Sequence, residues 1–154
     1  MKPYRKNAGA VVFNRAGLVL VGERLRPAGC LQFPQGGLNP EEDPLTGARR
    51  ELFEETGLRL DDPPAGEIAD WLRYEFPPGL SYKLDKFRGQ EQKWFFFAWN
   101  GALTELSLDH DTQEFSRIVW ADFRGVVEHV VPFKRGVYEE LYRHGTRIIE
   151  NHSW

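Results

Sequence analysis

The sequence predicts an α/β domain in which helices pack against a mixed sheet. Four stretches have the apolar or aromatic composition of strands, and they span residues 8–14, 18–23, 92–99 and 115–120. Two further stretches place apolar residues at helical spacing, one within residues 36–58 and one along residues 133–150. The length of 154 residues suits one domain, and no repeat or linker divides it. We therefore predict a single domain over residues 1–154.

The remaining segments connect these elements. The first two strands form a predicted hairpin around a turn at residues 14–17. A short strand follows at residues 31–34, and Gln35-Gly36-Gly37 lets the backbone turn tightly into the first helix. Residues 67–76 are predicted as one strand, ended by a Pro-Pro-Gly sequence. Three stretches are predicted to be irregular: residues 61–66, 79–90 and 101–113.

Composition limits the classes of function. The net charge of −3 argues against a sequence-independent nucleic-acid binder, so we expect no DNA partner. A polyphosphate substrate remains compatible, because a bound metal ion and a few cationic side chains can reverse the local charge. The single cysteine, Cys30, fits a reducing cytosol. No stretch has the apolar length of a membrane span or a signal peptide, so we expect a cytoplasmic protein without a membrane partner. No obligate protein partner is evident.

The first helix carries three acidic residues on one face. Glu51, Glu54 and Glu55 lie at positions i, i+3 and i+4, beside an apolar stripe that would anchor the helix to a core. Pro44 suits the first turn of this helix, and Gly57 suits its end. Crowded carboxylates form either a solvated acidic face or a site for a hard divalent cation. The glycine loop that leads into the helix, and the lack of a lysine ladder, favour the metal site.

The order of these residues resembles the signature of the Nudix hydrolases. Gly36 is followed after five residues by Glu42, after seven more by Arg50-Glu51-Leu52, and then by Glu54-Glu55 and Gly57-Leu58. The resemblance implies an α/β/α sandwich with a central mixed sheet. It also implies hydrolysis of a nucleoside diphosphate linked to another group, with magnesium as the cofactor and manganese as the alternative. In that family the three helix carboxylates hold the metal.

A second layer of resemblance covers roughly residues 4–142. Six segments are similar, in order, to the subgroup of bacterial RNA 5′-pyrophosphohydrolases and asymmetrical diadenosine tetraphosphate hydrolases. They are Tyr4-Arg5, Gln32 to Gly37, Trp71 to Tyr74, Gly89 to Phe95, Glu114-Phe115 and Pro132 to Arg135. The chain departs from this subgroup at Lys6, where proline is usual, and at Leu31, where tryptophan is usual. Both departures bear on substrate preference rather than on metal ligands.

The subgroup resemblance implies roles for residues outside the helix. Glu114 matches a carboxylate that reaches the metals as a ligand or as the base, although taken alone it would be an ordinary loop acid. Arg50 is expected to orient a signature carboxylate, either Glu42 or Glu54. Four basic residues match positions near the phosphates or could reach them, with a plain surface charge as the alternative for each: Arg5, Arg24, Lys93 and Lys134.

Two aromatic residues are candidates to stack on a base. Tyr74 and Phe133 could sandwich it, since stacking tolerates any base identity. Simple core packing is the alternative for both. The basic neighbour Lys134 favours an open site at Phe133.

These observations predict a magnesium-dependent pyrophosphohydrolase. Its substrates would be dinucleoside polyphosphates, RNA 5′-triphosphate ends, or both, since each offers a base, a ribose and a charged phosphate chain. Two alternatives remain: an enzyme that removes mutagenic nucleoside triphosphates, and a non-catalytic nucleotide-sensing regulator on the same fold. The regulator is disfavoured because all signature carboxylates are present.

Overall fold

The computed structural model describes residues 2–80, 86–108 and 114–154. Within these ranges the chain forms one eight-stranded mixed sheet and three α-helices. The strands are β1 (Tyr4–Phe13), β2 (Val19–Arg24), β3 (Leu31–Gln32), β4 (Gln35–Gly37), β5 (Gly66–Glu67), β6 (Leu72–Glu75), β7 (Gly89–Ala98) and β8 (Phe115–Ala121). The helices are α1 (Pro44–Thr56), α2 (Phe123–His129) and α3 (Arg135–Asn151), with 3₁₀ turns at Leu103–Glu105 and Pro132–Lys134.

Strands β1 and β7 form the centre of the sheet. They run parallel over their full lengths, from Tyr4 beside Gly89 to Phe13 beside Ala98. Strands β5 and β6 pair antiparallel with the other edge of β7. Strand β8 pairs antiparallel with β2, which also carries β3. Residues 5 and 7 of β1 therefore share a face with their β7 partners, and this face leads into the site described below.

The free edge of β1 is divided between two partners. Near its end β1 meets β2, with Phe13 beside Val19, while nearer its start it pairs with β4, from Asn7 beside Gly37 to Gly9 beside Gln35. The predicted hairpin is therefore present only next to its turn, whereas β2 pairs with β8 over six residue pairs. The predicted tight turn at residues 35–37 is wrong, because this segment is a strand that satisfies its backbone groups on β1.

Other boundaries also differ from the sequence prediction. The predicted strand at residues 67–76 is two strands, because four residues separate Glu67 from Leu72 while two separate their partners Phe95 and Gln92. This excess produces a bulge that interrupts the pairing. Helix α2 was not predicted, although Asp122 caps it and its apolar residues follow helical spacing. Residues 81–85 and 109–113 of the two predicted loops lie outside the described residues.

Two apolar cores lie on opposite faces of the sheet. Helix α1 packs its buried Ala48 and Leu52 against Ala8, Leu20 and Phe95 on one face. On the other face, helices α2 and α3 cover a larger core that includes Phe33, Trp94, Phe96, Phe123, Tyr138 and Leu141. The predicted α/β/α sandwich with a mixed sheet is confirmed. No helix in the described part of the chain is long and apolar enough to span a membrane.

Helix α1 begins and ends at the residues that its sequence indicates. The Asp43 carboxylate accepts the backbone N–H groups of Leu45 at 3.1 Å and Thr46 at 3.2 Å, and Pro44 occupies the first turn. A cap of this type stabilises a helix by about 1 kcal/mol. At the other end Gly57 adopts a φ of 76°, and its N–H bonds to the Phe53 carbonyl at 2.8 Å. The capped and anchored helix is a rigid support for its acidic face.

Candidate active site

One cavity of about 600 Å³ gathers most of the predicted site residues. Its acidic wall consists of Glu51, Glu54 and Glu55 from helix α1, with Glu114 directly before β8. Its basic wall carries Arg5, Arg24, Arg26 and Lys134, and three amide side chains line it between the walls: Asn7, Gln35 and Gln90. The backbone of Glu114 is held beside the basic wall, because its carbonyl accepts the Leu25 N–H at 3.0 Å.

Glu55 is the most deeply buried acid of the cavity, with 8% of its surface exposed. Its Oε1 accepts the Gln35 N–H at 3.1 Å, whereas its Oε2 is buried and has no hydrogen-bond partner among the described residues. Burial raises the pKa of the Glu55 carboxyl well above its usual range, and the charges of Glu114 and Glu51 raise it further. The positive charge of Lys134 opposes this rise in the pKa of Glu55.

Glu51 lies against the glycine strand β4. A β-carbon added at Gly36 would collide with the Glu51 carboxylate, so this approach requires glycine at that position. Burial raises the pKa of Glu51, while the hydrogen bond from Arg50 opposes the shift. The signature glycine therefore makes room for the signature acid.

Arg50 ties the acidic wall together. Its guanidinium donates two bonds of 2.9 Å to Glu42, one of 2.8 Å to Glu51 and weaker ones of 3.3 Å to Glu54. It also reaches the Gly37 carbonyl at 2.9 Å. These hydrogen bonds lower the pKa of Glu42. Both carboxylates predicted as partners of Arg50 are thus in contact with it.

A second cavity of about 530 Å³ adjoins the first and is largely apolar. Phe133 lies in its wall and is only partly buried, as a stacking residue requires. The two cavities share Arg24, Arg26 and Lys134. A base placed beside Phe133 would therefore be next to cations that face its phosphates.

Tyr74 is mostly buried where the core meets the second cavity. It is 6% exposed, its ring packs against Phe76 and Phe133, and its hydroxyl bonds to the Gln90 amide. Burial raises the pKa of Tyr74 to about 12, so this hydroxyl stays protonated. Stacking of Tyr74 on a base stays a prediction; in the structure the residue is largely buried and lines the second cavity.

Lys93 does not line either of these two cavities. Its ammonium donates to the carbonyls of Ile68 at 3.0 Å and Ala69 at 2.8 Å, and it lies 3.7 Å from the Glu67 carboxylate. The alternation of β7 explains this placement, since Gln90 and Gln92 face the floor of the first cavity and Lys93 faces the other side. The phosphate contact of Lys93 stays a prediction; in the structure its ammonium binds the backbone between β5 and β6.

The sequence reasoning assigned no role to a buried network of amides under the cavity. Asn7 donates to Gln35 at 2.7 Å and to Gln90 at 2.9 Å, and Gln92 donates to Asn7 at 3.1 Å. Asn7, Gln90 and Gln92 are at most 3% exposed. Their signal in the sequence is weak, because the three amides lie among charged residues in the polar first halves of β1 and β7.

The chemistry of the acidic wall fits a divalent cation. In the described part of the chain, no three acidic, histidine or cysteine side chains are already gathered around one point as metal ligands. The acids nevertheless share one cavity, and the buried Glu55 Oε2 has no hydrogen-bond partner among the described residues, which leaves it available to an ion. Carboxylate oxygens are the ligands that hard cations such as Mg²⁺ prefer. Glu51, Glu54, Glu55 and Glu114 are thus the residues that could hold it.

The chain belongs to the NUDIX domain family, since the family model matches residues 3–141. It is 41% identical over 143 residues to a protein of Cereibacter sphaeroides named RNA pyrophosphohydrolase, covering 90% of this chain and 88% of the relative. The predicted family is confirmed, and the relative's name agrees with the predicted class of enzyme.

Two solved structures show the same fold at low sequence identity. The dihydroneopterin triphosphate pyrophosphohydrolase of E. coli superposes with a TM-score of 0.70 at 17% identity, covering 90% of this chain and 97% of the other. The Ap4A hydrolase of C. elegans, in a binary complex, gives a TM-score of 0.66 at 19% identity over 93% and 98% of the two chains.

Proposed function

We propose that this chain is a single-domain, divalent-metal-dependent pyrophosphohydrolase acting on RNA 5′ ends or on dinucleoside polyphosphates. The observation that carries the proposal is the cavity in which the acids of helix α1 and Glu114 face Arg5, Arg24 and Lys134. A phosphate chain is the ligand that needs both walls, because its charge is matched by cations and its hydrolysis is assisted by a metal held on carboxylates. The name of the 41% identical relative supports the same class.

The proposed cofactor is Mg²⁺, with Mn²⁺ as the alternative, held by Glu51, Glu54, Glu55 and Glu114. A divalent ion there would neutralise phosphate oxygens and lower the pKa of a bound water. Arg50 serves this site indirectly, because its bonds to Glu42, Glu51 and Glu54 orient the acids. Gly36 contributes to this site because its lack of a side chain leaves room for the Glu51 carboxylate.

The protein's own groups account for binding and proton transfer. The basic wall draws negative charge away from the phosphorus under attack, which is the main obstacle to hydrolysis of a phosphoanhydride. A water oxygen forms the new bond to phosphorus, the bridging P–O bond breaks, and the bridging oxygen leaves with the departing phosphate. Glu114 and the helix acids are the bases within the cavity that can accept the proton of the attacking water.

The apolar second cavity is the proposed place for a base. Phe133 offers its ring there, and the shared cations Arg24 and Lys134 connect this place to the phosphate site. Stacking does not select a base identity, so an RNA end and a dinucleoside polyphosphate can use the same cavity. A cytoplasmic location, where RNA 5′ ends are made in bacteria, is part of the same proposal and is supported by the lone Cys30.

Hydrolysis in oxygen-18 water tests the proposal. Purified protein with Mg²⁺ is given triphosphorylated RNA, diadenosine tetraphosphate and free nucleoside triphosphates in parallel, and the products are analysed by mass spectrometry. We expect cleavage of one or both of the first two substrates, with the label on a single phosphate product. Faster turnover of free nucleoside triphosphates would instead indicate a nucleotide-sanitising enzyme. Turnover of none of them would indicate a non-catalytic protein.

A further inference from the structure

Gln35 carries an amide nitrogen that no other described residue uses. Its Oε1 accepts hydrogen bonds from Asn7 Nδ2 at 2.7 Å and from Gln92 Nε2 at 3.4 Å. Its Nε2 has no hydrogen-bond partner in the described part of the chain, and it is not one of the enclosed atoms that lack one. Because Gln35 lines the cavity of the carboxylates, this accessible nitrogen is a donor that a ligand of the cavity can use.

Trp94 determines which way the amides under the cavity point. An indole N–H can only donate, and that of Trp94 donates to Gln92 Oε1 at 3.3 Å. Gln92 therefore turns its Nε2 toward Asn7 Oδ1, at 3.1 Å. Asn7 in turn directs its Nδ2 to the side-chain oxygens of Gln35 and Gln90, at 2.7 Å and 2.9 Å. The oxygen of Gln35 thus points inward, and its nitrogen points outward.

Arg5 imposes the same direction from the other end of the network. A guanidinium can only donate, and Arg5 Nη1 donates to Gln90 Oε1 at 3.4 Å. With its oxygen used in this way, Gln90 donates its Nε2 to the Tyr74 hydroxyl. The donor-only groups of Arg5 and Trp94 therefore agree on the orientation of every amide between them.

The backbone of Gln35 is fixed as well as its side chain. Strand β4 pairs Gln35 with Gly9 of β1, and the Gln35 N–H donates to Glu55 Oε1 at 3.1 Å. The two groups that bond to its side-chain oxygen, on Asn7 and Gln92, are buried. A rotation of the carboxamide would break both of those bonds, so the donor is already oriented before a ligand arrives.

A neutral donor suits a position next to the acidic wall. A cationic side chain there would pair with the acids and repel a divalent ion, whereas an amide does neither. The other two amides that line the cavity have their nitrogens engaged, since Asn7 donates to Gln35 and Gln90 while Gln90 donates to Tyr74. Phosphate oxygens accept hydrogen bonds and need donors, which Gln35 supplies.

We propose that Gln35 is a substrate-binding residue whose Nε2 donates a hydrogen bond to an oxygen of the phosphate chain. The inference rests on the proposed function, because that function identifies a phosphate chain as the ligand of the cavity. The amide network beneath Gln35 keeps the nitrogen, and not the oxygen, turned toward that ligand. Gln35 thereby contributes to substrate affinity rather than to the chemical step.

The test uses two substitutions of Gln35 and one of its neighbour. Gln35→Met removes the donor and adds no charge. Gln35→Glu keeps an oxygen for Asn7 and Gln92 but turns a second, negatively charged acceptor toward the phosphates. Gln92→Met disturbs the same network from a buried position that does not line the cavity, and it leaves Gln35 in place.

The probe is imidodiphosphate, a diphosphate mimic that resists hydrolysis, titrated by calorimetry in Mg²⁺. Gln35→Met should bind it about tenfold more weakly or worse, because a hydrogen bond to a charged group is lost. Gln35→Glu should bind it more weakly still, because a negative charge then faces the phosphates. Gln92→Met should lower Tm at least as much as Gln35→Met does, yet weaken binding less than about threefold, because Asn7 still holds the Gln35 oxygen.

Three further readouts separate a phosphate contact from a structural effect. Mg²⁺ titrated alone should bind Gln35→Met as it binds the wild type, since the hydrogen bond to Glu55 comes from the backbone. The binding defect of Gln35→Met should persist at high salt, because no charge is lost. With substrate, KM should rise while kcat stays within about threefold of the wild-type value.

Several outcomes would overturn the proposal: wild-type affinity of either Gln35 variant for imidodiphosphate, an equal loss of affinity in Gln92→Met, a parallel loss of Mg²⁺ affinity in Gln35→Met, or no binding by the wild type. If Gln35→Met does not fold, Gln35→Glu decides alone, because it retains both bonds of the side-chain oxygen.

The proposed function fails separately. A wild type that hydrolyses no substrate but binds imidodiphosphate in a Gln35-dependent way would refute catalysis and leave the phosphate contact standing. An active wild type whose affinity is unchanged in both Gln35 variants would refute the contact and leave catalysis standing.

Discussion

The two walls of the cavity treat their cations in opposite ways. On the acidic wall, Arg50 is surrounded by the carboxylates of Glu42, Glu51 and Glu54. On the basic wall, Arg24 and Lys134 donate to the neutral oxygen of Gln32. Arg50 is bound by carboxylates and orients them, whereas Arg24 and Lys134 are both bound by a neutral amide oxygen. Whether a cation in this cavity has a structural role or a binding role thus depends more on its acceptor than on the type of cation.

The largest expected effect is that of Glu55→Gln on the acidic wall. It removes the most buried carboxylate, so turnover should fall by about 10³-fold or more if this residue holds the metal. In the metal-free protein, Glu55→Gln should instead raise the stability. Measurement of kcat with Mg²⁺ and of Tm in a chelator checks both, and near-wild-type turnover would exclude Glu55 as a metal ligand.

The pH dependence of that stability has a definite sign. Burial raises the pKa of Glu55 in the folded state, so the native protein binds a proton at pH values where the unfolded chain has released it. The stability of the metal-free protein is therefore lost as pH rises through the folded pKa. Glu55→Gln should flatten this dependence and raise Tm at neutral pH. A lower Tm for the variant would contradict the assignment.

Arg50→Gln should reduce both turnover and stability. Three acids lose their common partner, so we expect kcat to fall about 10²-fold and the free energy of unfolding to fall by about 2 kcal/mol. Arg124→Gln is the matched control, because Arg124 also makes a two-pronged contact with one carboxylate, that of Glu139, but on the surface. That control should lower the free energy of unfolding much less than Arg50→Gln does, because exposed ion pairs are screened by solvent, and it should leave kcat unchanged.

Arg24→Gln changes the basic wall and should give a binding defect instead. We expect KM to rise about tenfold, with a smaller change in kcat, since one positive charge facing the phosphates is lost. The defect should diminish at higher salt. Steady-state kinetics at two ionic strengths measure it, and a kcat defect as large as that of Arg50→Gln would erase the distinction between the walls.

Phe133→Ala tests the cavity that adjoins both walls. Loss of a stacking surface should weaken substrate binding by about 1–3 kcal/mol, with little change in Tm because the ring is only partly buried. Binding assays with an RNA end and with diadenosine tetraphosphate measure the first effect, and thermal melts measure the second. A large loss of Tm without a binding defect would mark Phe133 as a core residue.

Lys93→Gln should have the smallest effect. Its ammonium binds backbone carbonyls beside Glu67 and does not line the phosphate cavity, so KM should stay within about twofold of the wild-type value. Kinetics with the same substrates measure this. A KM defect comparable to that of Arg24→Gln would restore the phosphate contact that the sequence resemblance implied.

Local signals in the chain predicted the acidic helix well. Its first turn at Pro44, its end at Gly57 and the shared face of Glu51, Glu54 and Glu55 all depend on residues within a few positions of one another. Strand partners were predicted less well. The division of the β1 edge between β2 and β4, and the bulge after Glu67, depend on which distant segments compete for the same backbone groups.

The family, the carboxylates and their order on the helix could be read from the amino acids alone, because periodicity and motif spacing are local properties. The placement of each cation and aromatic ring depends on packing between distant segments. Lys93 faces the other side of the sheet, and Tyr74 is buried in the core beside Phe133. Gln32 meets Lys134 across 102 positions of the chain. The role of a charged side chain depends on the acceptor next to it, and packing of distant segments places that acceptor.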